Sequence, residues 1–168
     1  EIGSTPARQG LERIGQYFSP LEADKEVELS VSPLDSGDGG GCQQNFAILF
    51  TDGAYNGLSA GMGNVDKDKP APYGGKAAGT LADVAWYYWD IDLDGNANNN
   101  QVPTNFWDSN TRQHMVTYTI GFGVHGTLNP DDYDLFNPVV SMRKYPTWPD
   151  INTDPERIDD LWHAAVNG

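Results

Sequence analysis

Phe46-Ala47-Ile48-Leu49-Phe50-Thr51-Asp52-Gly53 is the stretch that decides the fold class. Its first five residues form an unbroken apolar run without polar alternation, the pattern of a strand covered on both faces in a parallel sheet. Thr51-Asp52-Gly53 then marks the carboxyl end of that strand, where ligands bind in open α/β sheets. A second strand is predicted from the β-branched and aromatic run Met115-Val116-Thr117-Tyr118-Thr119-Ile120-Gly121-Phe122.

Between the two strands lies the clearest helical pattern. Leu81, Val84, Ala85, Tyr88 and Trp89 share one face, and Thr80 and Asp83 have the spacing of a capping box. Strand, helix, strand is the unit that crosses over between parallel strands, so the class is α/β with a doubly wound, mainly parallel sheet. Upstream, residues 6–18 put Leu11, Ile14, Tyr17 and Phe18 at helical spacing, with Thr5 as N-cap and Pro6 at the first helical position. Downstream, Asp154-Pro155 open a helix that turns Ile158, Leu161, Trp162 and Val166 inward, and Gly168 stops it. Residues 19–44 read as loop with a short edge strand at 26–31, and residues 53–79 and 90–112 read as insertion loops. Two strands are fewer than the five or six of an ordinary open sheet. Residues 1–168 are therefore expected to form a partial domain, with further strands of the same fold before residue 1 and after residue 168.

Composition narrows the function. With 24 acidic residues against 10 Lys and Arg, the net charge of -14 repels phosphate backbones and anionic lipid, so nucleic acid is not an expected partner. Eighteen of the acids are Asp, mostly beside Gly, Asn and Pro. Short carboxylates in loops either converge on hard cations such as Ca²⁺ or Mg²⁺ or serve as turn and capping residues. No run approaches the roughly 18 to 20 apolar residues needed to cross a bilayer. The single Cys42, after Gly39-Gly40-Gly41, supports neither an internal disulfide nor a zinc cluster; it is either a buried thiol or a loop residue paired outside the chain.

Two segments have the chemistry of a cation site. Asp52 stands at a strand's carboxyl end, and Gly3-Ser4-Thr5-Pro6 carries a hydroxyl in a loop leading into a helix, a neutral oxygen ligand for a hard cation. Together they resemble two of the three loops of the metal-ion-dependent adhesion site of von Willebrand factor A domains. Thr5 matches that site's threonine loop and Asp52 its aspartate loop. The third motif, Asp-x-Ser-x-Ser, is absent, and Asp35-Ser36-Gly37-Asp38-Gly39 does not fit it. In the family that motif lies upstream of the Gly-x-Thr-Pro segment, so its absence agrees with a partial domain and equally with a degenerate site.

Longer strings narrow the resemblance. Cys42-Gln43-Gln44-Asn45-Phe46, Tyr55-Asn56-Gly57, Gly63-Asn64-Val65-Asp66, residues 80–89, 100–104 and 113–124, and Ile158-Asp159-Asp160-Leu161-Trp162-His163-Ala164-Ala165-Val166-Asn167-Gly168 are similar to segments of PilY-type proteins of type IV pili. The resemblance implies a von Willebrand A-like domain in an extracellular or cell-surface protein, at the pilus tip or outer membrane. It implies a part in pilus biogenesis, twitching motility and attachment, without catalysis. It further implies a Mg²⁺ or Ca²⁺ that leaves one coordination position for a partner's acidic group, on a pilus protein or surface ligand. The missing segments of the chain's own domain are the other implied partners.

Asp90-Ile91-Asp92-Leu93-Asp94-Gly95-Asn96-Ala97-Asn98 is a separate candidate, matching the opening of an EF-hand calcium loop. Asp90, Asp92 and Asp94 take positions one, three and five, Gly95 the turn, and Asn96 and Asn98 the next ligand positions. Gln101 stands where a bidentate Glu belongs, and Pro103 opposes an immediate second helix. The bland alternative is a polar loop that ends the preceding helix. Asp66 and Asp68 alternate with Lys67 and Lys69, which reads as charge compensation. His114, His125 and His163 lack zinc-site spacing, and no Gly-x-Ser-x-Gly elbow occurs. In Trp86-Tyr87-Tyr88-Trp89 helical periodicity assigns Tyr88 and Trp89 to the core. Two readings compete with adhesion: an A-type scaffold with a degenerate metal site, and a secreted hydrolase using paired Asp residues.

Overall fold

A computed structural model describes residues 5–19, 32–34 and 40–168. Five principal elements follow one another: α1 (Ala7–Phe18), β1 (Asn45–Thr51), α2 (Leu81–Asp90), β2 (Met115–Gly121) and α3 (Asp154–Asn167). The edge strand expected at residues 26–31, the Gly3-Ser4 portion of the first loop and residues 35–39 lie outside the described residues.

β1 and β2 pair in parallel, with Asn45 opposite Met115 and Thr51 opposite Gly121, as the strand–helix–strand pattern predicts. Alternate residues of each strand face the helices. Asn45, Ala47, Met115 and Thr117 are buried there, and Thr119 donates its hydroxyl hydrogen to the Leu161 carbonyl of α3 at 2.8 Å. The expectation of a strand covered on both faces needs correction among the described residues. On the opposite face Phe46, Ile48, Phe50, Tyr118, Ile120 and Phe122 are 46% to 71% exposed. The described residues form a mixed α/β unit with one small parallel sheet and helices against one side of it.

α2 is the centre of the molecule. Thr80 and Asp83 form the predicted capping box, and Leu81, Val84, Ala85 and Tyr88 enter the core with Leu11, Met115, Leu161 and Ala164. The aromatic assignment is partly reversed: Trp86 is buried, whereas Trp89 is only half-buried. A helix packed against α1, α3 and β2 buries nearly its whole circumference, so a single inward stripe does not describe it. α1 crosses closely, because a Cβ on Gly15 would lie 2.3 Å from Tyr88 ring carbons. Its cap is Pro6 rather than Thr5, and no side-chain cap bond forms.

α3 runs from Asp154 to Asn167, and its buried face is more polar than expected. Asp159, Asp160, His163 and Asn167 are buried alongside Leu161 and Ala164, while Ile158, Trp162 and Val166 are half-buried. A second capping box, Thr153 with Glu156, starts the helix and was not read from the sequence. Among the described residues no helix is long and apolar enough to cross a membrane.

Candidate functional site

The carboxyl ends of both strands open onto the loops that carry Thr5 and Asp52. Asp52 is exposed in the turn after β1. Thr51 shapes that turn: its hydroxyl accepts from Gly53 N–H at 3.2 Å and donates to the Gly53 carbonyl at 2.8 Å. Thr5 is also exposed, and its loop is stitched to the continuation of the same turn. Thr5 N–H donates to Asn56 Oδ1 at 2.7 Å, and Asn56 N–H donates back to the Thr5 carbonyl at 3.0 Å. Arg8, the second residue of α1, reinforces the junction by donating to the Gly57 carbonyl at 2.5 Å while its guanidinium lies 5.1 Å from the centre of the Tyr55 ring. Two loops 47 positions apart in sequence thus meet at one end of the sheet.

Thr5 and Asp52 offer one hydroxyl oxygen and one carboxylate, oxygen types that hard cations take, on loops joined through Asn56. Among the described residues the Asp52 carboxylate takes no hydrogen bond or ion pair. Asn56 and Arg8, which join the loops, were not singled out in the sequence as part of this junction. Their signal was Asn56 within Tyr55-Asn56-Gly57, a turn whose Gly57 adopts φ of +91°.

The second candidate loop is built differently. Gly95 takes the left-handed conformation, with φ of +67°, that the sixth position of a calcium loop requires. Asp90, however, pairs with Arg112 at 3.2 Å and Lys69 at 3.9 Å. Asp92 accepts from Gly95 N–H at 3.2 Å, Asp94 accepts from the Asn99 side chain, and Asn96 accepts from Asn98 N–H at 3.2 Å. Leu93 is fully buried in the core. Among the described residues no three Asp, Glu, His or Cys side chains gather as a metal-binding group.

A polar cluster lies inside the molecule. Asp160 receives Tyr55 O–H at 2.5 Å, Leu81 N–H at 2.9 Å and Ala82 N–H at 3.2 Å, so it binds the amino end of α2 to the loop after β1. Asp83 reaches beyond its capping box to accept Val65 N–H at 2.8 Å. Asp66 accepts from Gly75 N–H at 3.1 Å and Asn167 Nδ2 at 2.8 Å. His163 stacks on Trp148 and donates from Nε2 to the Tyr73 carbonyl at 2.6 Å. Asp159 holds the loop after β2 by accepting from Thr127 and from Leu128 N–H at 3.1 Å.

The lysines do not compensate Asp66 as the sequence suggested. Lys67 lies beside Asp68 at 3.9 Å, whereas Lys69 turns toward Asp90. Burial, then repulsion from Asp83, pushes Asp66 up to about 6. Burial likewise pushes Asp160 up to about 6, against its three donors, and lowers His163 to about 4. These groups organise the long loop 53–79 on α2 and α3. Asp160, His163 and Asn167, spaced i, i+3, i+7 on one helical face, were the sequence signal for it.

Cys42 is exposed in the short 3₁₀ turn Gly40–Cys42. His114 is buried between the Arg112 carbonyl and the Asp108 carboxylate.

No family model matches this chain, and no solved structure matches it. It is similar to the type IV pilus biogenesis factor PilY1 of Pseudomonas aeruginosa strain PAK, with 29% identity in an alignment 198 positions long that covers 98% of the chain and 17% of the relative. The same-named protein of strain UCBPP-PA14 is 27% identical, with 98% of the chain and 16% of the relative covered. The chain thus spans less than a fifth of the length of these relatives.

Proposed function

We propose that this chain is an interaction module of a type IV pilus-associated surface protein, supporting pilus biogenesis, twitching motility and attachment at the pilus tip or outer membrane. Similarity to pilus biogenesis factors along nearly the whole chain supports the pilus setting. The reciprocal hydrogen bonds between Thr5 and Asn56 carry the local reading, because they join the Thr5 loop to the loop of Asp52.

In this reading Thr5 and Asp52 are two of the oxygen ligands for a Mg²⁺ or Ca²⁺, within an A-type fold continued by further segments of its own domain. The cation supplies positive charge on a protein of net charge -14, and so permits recognition of an acidic group on a pilus protein or surface ligand. The chain's own part is to fix the two loops and to keep the Asp52 carboxylate exposed. The test is Asp52→Ala in the gene of a piliated bacterium, scored by attached cells and surface pili. Attachment is expected to fall about ten-fold, the effect of roughly 1.4 kcal/mol, with protein level unchanged. Attachment at the wild-type level would overturn the cation role.

One observation favours a second reading, a scaffold with a degenerate metal site: the Asp-x-Ser-x-Ser motif is absent from residues 1–168. Under it, removing the module impairs pilus assembly while Asp52→Ala and chelation leave attachment unaltered.

A further inference from the structure

The junction of the Thr5 and Asp52 loops contains Asn56-Gly57, one of two Asn–Gly pairs in the sequence. A glycine after asparagine has no side chain to keep its backbone nitrogen away from the asparagine side-chain carbonyl. Three features make this pair reactive. Both residues are exposed, so water and hydroxide reach them. Gly57 N–H donates no hydrogen bond among the described residues, and the Arg8 guanidinium sits 2.5 Å from the Gly57 carbonyl, a positive charge close to the nitrogen that must lose its proton. Asn56 Oδ1 accepts Thr5 N–H at 2.7 Å, so a fixed donor already faces the oxygen on which negative charge develops when Cγ is attacked.

The other pair, Asn167-Gly168, has the opposite surroundings. Asn167 is 2% exposed, and its Nδ2, the nitrogen that would leave, donates to Asp66 Oδ2 at 2.8 Å and to the Ala82 carbonyl at 3.3 Å. Its Oδ1 has no donor among the described residues. Gly168 N–H is engaged by the Ala164 carbonyl at 3.0 Å. The same dipeptide is therefore activated at the junction and protected in the interior.

We infer that Asn56 is a site of self-modification, at which the folded chain converts asparagine to aspartate with Thr5 N–H directing the reaction. Gly57 N gives its proton to a solvent base and bonds to Asn56 Cγ. Nδ2 takes up a proton and leaves as ammonia, so a five-membered imide remains. Water then opens the imide at one of its two bonds to Gly57 N. Opening at Cγ restores the ordinary backbone and leaves aspartate, whereas opening at the backbone carbonyl reroutes the chain through Cγ as isoaspartate. Thr5 N–H polarises the Cγ carbonyl and not the backbone one, so it promotes both closure at Cγ and opening toward aspartate. In sum, an amide and a water become a carboxylate and ammonia, with no oxidant or reductant. The new carboxylate keeps Thr5 N–H as its donor and adds a negative charge to the exposed junction. The conversion does not depend on the cation reading; where that reading holds, it brings another carboxylate to the loops of Thr5 and Asp52.

The test incubates the protein at mildly alkaline pH, folded and unfolded in guanidinium chloride, and follows each asparagine by peptide mass spectrometry. Conversion adds about 1 Da, and fragmentation separates aspartate from isoaspartate. Asn56 is expected to convert at least as fast folded as unfolded, and with a larger share of aspartate. Asn167 is expected to convert at least about ten-fold more slowly in the folded chain. Thr5→Pro removes the directing N–H and keeps the carbonyl that accepts from Asn56. It is expected to slow Asn56 conversion about ten-fold and to shift the product toward isoaspartate, while protected α2 amides report that the variant is folded. Slower conversion of Asn56 in the folded chain than in the unfolded one would overturn the inference, as would the same product ratio in both states. A folded Thr5→Pro protein with the wild-type rate and ratio would also overturn it. Where Thr5→Pro does not fold, the comparison of folded with unfolded wild type decides alone.

Discussion

Asp160 takes three donors at once, and none of them has access to water in its place. Replacing it by Ala leaves Tyr55 O–H, Leu81 N–H and Ala82 N–H buried without that acceptor, at about 1 to 3 kcal/mol for each group that finds no other partner. Asp160→Ala is therefore expected to lower stability by about 3 kcal/mol or more in urea unfolding. A loss below about 1 kcal/mol would mean that these donors find other acceptors. Gly15 is sensitive for a steric reason: Gly15→Ala forces its methyl against the Tyr88 ring and is expected to cost about 1 to 3 kcal/mol in the same assay. The pH response follows from opposed shifts. Asp66 and Asp160 are raised from 3.8 to about 6, so their contribution is full below about 3.8 and is lost as pH rises through about 6. His163 is lowered from 6.5 to about 4, so its contribution is full above about 6.5 and is lost as pH falls through about 4. His163→Gln removes the opposing titration and keeps a donor for the Tyr73 carbonyl. Its thermal midpoint should rise more than the wild-type midpoint between pH 7.5 and 5.5, and parallel profiles would contradict these assignments.

At the scale of elements, strands and helices were legible where their signals are local. The apolar run at 46–50, the β-branched run at 115–122, and the Thr80–Asp83 spacing all lead to observed elements. What escaped was which faces are covered, because that depends on where other elements pack. Phe46, Ile48 and Phe50 look like residues covered on that face, yet the described helices lie against the other side of the sheet. Ile48→Thr in this chain is accordingly expected to change stability by less than about 0.5 kcal/mol, whereas Ala47→Leu on the helix-facing side should cost about 1 to 3 kcal/mol through overpacking. Equal costs at the two positions would show that the outer face is covered. The polar face of α3 escaped for a related reason. Asp160, His163 and Asn167 have the composition of a solvated stripe, and only the backbone donors of distant loops make them internal.

Across the whole molecule, the sequence held the class of fold and the two cation-ligand candidates, while their connection needed three dimensions. Nothing local to Thr5 indicates that its backbone exchanges hydrogen bonds with Asn56, which lies beyond an entire helix and strand. The surroundings of the calcium-loop candidate likewise needed three dimensions. Its Gly95 turn forms, but Asp90 is engaged by Lys69 and Arg112, whose distance in sequence hid the pairing. The role proposed for the junction of the Thr5 and Asp52 loops is a cation-dependent interaction. Its most direct test is calorimetric titration of Mg²⁺ alone into the natural polypeptide carrying these residues, wild type against Asp52→Ala. Saturable binding is expected, weakened at least about ten-fold, or roughly 1.4 kcal/mol, by Asp52→Ala. Identical isotherms for the two proteins, or no binding by the wild type, would contradict it.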